Sequence, residues 1–218
     1  MKRHLVALTA VTLSATTGLA FLASMRTAVA SPPVAAPAAV VQPAPSRADA
    51  TAGQRALEAA IARGEHLVMT AGCHDCHTPL KMGANGPEPD LSRALSGHPE
   101  GMKLPPAPAP VGPWLVSAAA TNTAWAGPWG VSFTANLTPD KETGLGKWNQ
   151  ETFTRTIRTG RHMGAGRPIL PPMPIPAYKN FTDDELGAIF AYLQSLPAMK
   201  NKVPDPLPPP VAAKPAHG

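Results

Sequence analysis

The stretch Ala71-Gly72-Cys73-His74-Asp75-Cys76-His77-Thr78 holds the only two cysteines of a 218-residue chain. Two residues separate them, and a histidine follows the second at once. A dithiol redox pair of the thioredoxin kind needs a strand before the motif and a βαβ setting. Here residues 54–70 carry Leu57, Ile61, Leu67 and Val68 among good helix formers, a pattern that predicts a helix. A structural zinc site needs four ligands in a closed tetrahedron. The third and fourth would be distant histidines, and adjacent Cys76 and His77 diverge awkwardly for one ion. The spacing suits covalent haem c attachment instead. Two thiols one helical turn apart reach the two vinyl groups of one porphyrin edge, and the next residue sets its imidazole under the iron.

The N-terminus fits that reading. Lys2, Arg3 and His4 precede a largely apolar run over residues 5–23, and Ala28-Val29-Ala30 supplies the small residues of a cleavage site. Residues 1–30 are therefore expected to be a signal peptide, which places the chain in the periplasm or on the outer face of the membrane. About 20 apolar residues also suffice to span a bilayer, so an uncleaved anchor is the alternative. Thr9, Thr12, Ser14, Thr16 and Thr17 dilute the run and favour cleavage. In an oxidising compartment two unmodified thiols would be hard to keep. Export also removes Lys2, Arg3 and Arg26, leaving 16 basic against 14 acidic residues, a charge of +2 rather than +5. No Lys/Arg cluster survives to suit nucleic acid.

Residues 31–53 are dominated by Ala, Pro and Val and read as an extended linker, as do residues 203–218 at the far end. Residues 54–202 remain for one domain. Residues 79–134 are rich in Pro and Gly and show no strand pattern. Asn149 can cap a helix that carries Phe153 and Ile157 on one face and ends at Gly160. Thr182-Asp183-Asp184-Glu185 is a capping box, and Leu186, Ile189, Phe190 and Leu193 follow at helical spacing until Pro197. The expected fold is mainly α with long Pro-rich loops. The tryptophans are expected in the core or the haem wall.

With His77 as one iron ligand, the other must be found. Met69 lies in the helix before the motif and reads as packing, while Met82 and Met102 sit in loops without a rigid frame. Met173 lies in "GRPILPPMPIPAY" (166–178), between Pro172 and Pro174. Ordering a loop costs roughly 1–2 kcal/mol per residue, and prolines have already given up much of that freedom. Met163 in "GRHMGAGR", with His162 beside it, is the rival. Arg158, Arg161, Arg167, Trp148 and Tyr178 are candidate partners for haem propionates, although each alone is more often a solvated or packing residue.

The segments "AGCHDCHTP" (71–79), "NLTPDKETGLGKW" (136–148), "FTRTIRTGRHMGAGRPILPPMP" (153–174) and "YKNFTDDELGAIFAYLQSLP" (178–197) together resemble a mono-haem, His/Met-ligated bacterial c-type cytochrome. The resemblance implies a helical domain wrapped round one haem c. It implies thioether links at Cys73 and Cys76, iron ligands at His77 and Met173, and terminal helices packed on each other. Gly64 would then lie at their contact. The segment 79–134 is extra material relative to small members of that family. The expected function is one-electron transfer between redox partner proteins, a dehydrogenase or an oxidase. The alternatives are the haem subunit of a larger dehydrogenase, or a haem enzyme or gas sensor with a labile sixth ligand. No distal His/Arg pair at convincing spacing supports that last reading.

Overall fold

The computed structural model describes residues 46–108 and 113–209. The expected signal segment, residues 1–30, lies outside them, as does most of the expected linker. Helix α1 is Arg47–Thr70, so it begins inside the stretch that composition marks as linker. Its start is set by a capping box: the Asp49 amide donates to Ser46 Oγ at 3.2 Å, and the Ser46 amide donates to Asp49 Oδ2 at 3.1 Å. The Ala-rich sequence that follows favours helix over coil.

A one-turn helix, α2 (Cys73–His77), carries the cysteine motif. Helix α3 (Gln150–Thr159) starts where Asn149 Oδ1 accepts from the Thr152 amide at 2.8 Å and stops at Gly160. A single turn, α4 (Ile175–Tyr178), follows the methionine loop. Helix α5 (Asp183–Ser195) has the Thr182/Glu185 capping box that its sequence predicts. Among the described residues no helix is long and apolar enough to cross a membrane.

The helices α1 and α5 cross at Gly64. A Cβ there would lie 1.9 Å from the carbonyl oxygen of Ala188 and 2.8 Å from Cβ of Tyr192. Only a residue without a side chain permits this approach. Around the crossing, buried Val68 and Leu95 join Phe153 and Ile157 of α3 and Leu186, Ile189 and Leu193 of α5 in one core.

The segment 79–134 departs from expectation, because it contains strands. Strands β1 (Leu80–Gly83) and β2 (Gly86–Pro89) form an antiparallel hairpin, pairing Leu80 with Pro89 and Gly83 with Gly86. Strands β3 (Ser117–Ala118), β4 (Ala124–Gly127) and β5 (Gly130–Phe133) form a second antiparallel sheet in the order β3-β4-β5. None exceeds four residues, too short for an alternating pattern to stand out. Trp114 is 77% exposed and belongs to no core, against the expectation for the tryptophans; Met69, at 59%, is no packing residue either. Beyond Val203 the chain is tied down at Leu207, which exchanges backbone hydrogen bonds of 2.9 Å with Val131 of β5.

Candidate haem site

Between α2, α3, α5 and the methionine loop lies a cavity of about 400 Å³, within the usual range for a small-molecule site. Cys73, Cys76, His77 and Met173 all line it. The fold therefore brings together the four residues that the sequence singles out. Met163 does not line it. That residue is half-exposed, with φ of 52°, in a 3-10 turn (His162–Gly164) beyond α3. His162 reaches the cavity wall and packs edge-on against Trp148, with ring centroids 5.5 Å apart.

His77 is buried, and its Nδ1 lies 2.7 Å from the carbonyl oxygen of Ala135. A carbonyl can only accept, so Nδ1 carries the proton and Nε2 keeps its lone pair. Burial pushes the His77 imidazole below its ordinary value, which holds it neutral. The backbone around the motif is fixed as well. The Gly97 amide donates to the His77 carbonyl at 2.8 Å, and the Leu95 amide donates to Thr78 Oγ1 at 3.0 Å. The Asn122 side chain donates to the Asp75 carbonyl at 2.7 Å. Between the thiols, Asp75 is exposed, while half-buried His74 pairs with Thr78 Oγ1 at 2.9 Å.

Burial pushes the Cys73 thiol up to about 11, and it raises Cys76 too. A thiolate would be costly here, whereas an uncharged thioether suits the apolar wall. The cavity is faced by Leu145, Trp148, Phe153, Ile157 and Leu186, which a porphyrin plane can cover. A soft sulfur at Met173 and a neutral imidazole at His77 form a donor set of the kind that holds haem iron. On chemistry, volume and orientation, these residues fit a haem.

The methionine loop is anchored from outside it. Ser132 Oγ, on β5, donates to the Pro171 carbonyl at 2.6 Å, two residues before Met173. The Tyr178 hydroxyl donates to the Ala71 carbonyl, joining the loop's exit to the cysteine motif. Ser132 and the Ala135 carbonyl escape a reading of the sequence. The first is one of many serines, and the second is a backbone atom that no side chain announces. Of the arginines weighed as propionate partners, Arg158 is taken by Asp183 at 2.6 Å and by the Lys179 carbonyl. Arg161 donates to the Gly166 carbonyl at 3.0 Å. Arg167 and Trp148 line the cavity.

The model of the family described as cytochrome c matches residues 61–197. The chain is similar to the alcohol dehydrogenase (quinone) cytochrome c subunit of Gluconobacter oxydans (strain 621H), with 29% identity over 157 residues, 70% of this chain and 25% of that protein. It is similar to the gluconate 2-dehydrogenase cytochrome c subunit of Pantoea cypripedii, with 27% identity over 143 residues, 66% of this chain and 24% of that protein. It is also similar to the fructose dehydrogenase cytochrome subunit of Gluconobacter japonicus, with 26% identity over 152 residues, 67% of this chain and 24% of that protein. The chain spans about a quarter of the length of these three relatives. From the matched residues and the single cysteine pair in the cavity, the chain belongs to the cytochrome c family and is an electron-transfer protein with one covalent haem c.

Proposed function

We propose that Cys73 and Cys76 carry the thioether links, that His77 and Met173 would hold the haem iron, and that the domain is the electron-transferring haem part of an exported dehydrogenase. The observation that carries the ligand assignment is the shared cavity: Met173 and His77 line it together with both cysteines, while Met163 stands outside it. When bound, the haem supplies reversible Fe(III)/Fe(II) one-electron chemistry. The chain's own residues do the rest. Ala135 holds His77 in the tautomer whose Nε2 is free to bind, and Ser132 and Tyr178 hold the loop that presents Met173. A thioether ligand favours Fe(II) and keeps the potential high. If His77 and Met173 both hold the iron, no place on it would be left for substrate, which speaks against the enzyme or sensor reading.

The dehydrogenase assignment is favoured over a free-standing carrier because the relatives are named as subunits of alcohol, gluconate and fructose dehydrogenases. Purification from the native host should yield the haem protein with a larger dehydrogenase subunit. Elution alone, at the mass of this chain, would return the free carrier to first place. The ligands are tested separately. Oxidised protein should show the weak near-infrared band of sulfur-to-iron charge transfer that resemblance to His/Met haem proteins implies. Met173→Ala should abolish the band, open the iron to carbon monoxide and lower the potential, whereas Met163→Ala should do none of these. A band that survives Met173→Ala and vanishes in Met163→Ala would reverse the assignment.

A further inference from the structure

Residues 202–206 stand where composition marks the domain's end and the start of a proline-rich tail, yet they line the same cavity as Cys73, His77 and Met173. They are held at both ends. At one end Asn201 is fully buried, with 0% exposure. Its Oδ1 accepts from Arg93 Nη2 at 3.0 Å and from the Glu100 amide at 2.7 Å. Its Nδ2 donates to the carbonyls of Ser96 at 2.6 Å and His98 at 2.9 Å. All four hydrogen-bonding places of a carboxamide are thus used. At the other end Leu207 and Val131 exchange their two backbone bonds of 2.9 Å. A Cβ on Gly130 would lie 2.0 Å from the Leu207 carbonyl oxygen, so the strand at this point is shaped to receive the incoming chain. Between the anchors, Pro204 and Pro206 remove slack from a five-residue span. A linker needs none of this.

The geometry points to residues 202–206 as a strap that closes one wall of the haem cavity, keeps water from it and so holds the reduction potential up. The physical reason is charge. Oxidised iron carries one more positive charge than reduced iron, so water at the wall favours Fe(III) and a dry wall favours Fe(II). Half-buried Val203 supplies apolar cover, and Asn201 is a positioning residue that acts through the strap. The inference rests on the haem site proposed above, but its test separates the two.

Three haem-loaded forms are compared by redox titration: the full chain, a chain lacking residues 203–218, and Leu207→Pro. The last removes one backbone donor from a half-exposed residue and leaves the core untouched. Both altered forms should favour Fe(III) at least tenfold more than the full chain, a fall of 59 mV for a one-electron couple, while retaining the sulfur-to-iron band. The exposed Trp114→Ala should shift nothing. If both altered forms titrate within twofold of the full chain, the strap has no such role. Should the shortened chain not accumulate, Leu207→Pro decides by the same criterion. Absence of the band from the full chain would count against the ligand assignment, and the size of the shift would still judge the strap.

Discussion

Consider the double substitution Cys73→Ser/Cys76→Ser, which removes both covalent links to the haem. Once haem is extracted, the cavity of about 400 Å³ must be left unfilled, flooded or collapsed. Its walls include Phe153, Ile157, Leu186, Ile189 and Leu193, which are also the residues of the domain's core. Unfilled interior space costs about 24 cal/mol per Å³, so this volume corresponds to at most about 10 kcal/mol, the part open to solvent counting for less. A small domain has only about 5–15 kcal/mol to lose. The haem-free chain should therefore be largely unfolded, with the contact between α1 and α5 lost. A denaturing gel stained for haem peroxidase activity checks that the covalent links are gone. Far-ultraviolet circular dichroism with a thermal melt then reads the fold. A cooperative melt from the helix content of the haem-loaded protein would refute the reasoning, since it would mean that the walls close on themselves at little cost.

Gly64→Ala should destabilise the haem-loaded protein by about 3 kcal/mol in guanidinium unfolding, at the upper end for overpacking, because the obstruction is the Ala188 carbonyl rather than a yielding side chain. Asp140 gives a pH prediction. Hydrogen bonds from the Thr143 side chain and amide, both 2.7 Å, hold its carboxyl below the ordinary 3.8. A depressed folded value means that its stabilisation is complete above pH 3.8 and is lost as pH falls through the folded value. Asp140→Asn should therefore lower stability at neutral pH and flatten its loss below pH 3.8, as measured by thermal melts across the acid limb. An unchanged acid limb would show that the Asp140 turn is not linked to folding.

The parts of this site that are legible in the sequence are those built from local signals. Cys73, Cys76 and His77 are neighbours, Asn149 and Thr182 cap helices that begin beside them, and Met173 is framed by prolines within two residues. What escapes is long-range or belongs to the backbone. His77 depends on a carbonyl 58 positions away, and the methionine loop on a serine 39 positions before Pro171. Asn201 stands two residues before the expected tail with no local signal to mark it, and only the fold reveals it as buried between Arg93, Glu100, Ser96 and His98. The strands fail for another reason: with Gly, Pro and exposed residues in pieces of two to four residues, they draw on pairing rather than propensity. Helix α1 starts early because Ser46-Arg47-Ala48-Asp49 is itself a capping box, set in a stretch whose prolines and alanines look uniform.

His77 and Met173 stand 96 positions apart (173 − 77). The entropy of closing a loop grows only with the logarithm of its length, so each doubling costs about 0.6 kcal/mol. Halving this span would thus gain less than one good hydrogen bond is worth, and the bond from Ser132 to Pro171 is supplied by the very segment that lengthens it. The same arithmetic applies to further growth. Residues 102–108 are exposed and belong to no helix or strand. A peptide spliced in there, such as a tether to an electrode, would add a fraction of a kcal/mol to loop closure and leave His77 and Met173 where they are. That makes it the natural place to wire this protein to a surface.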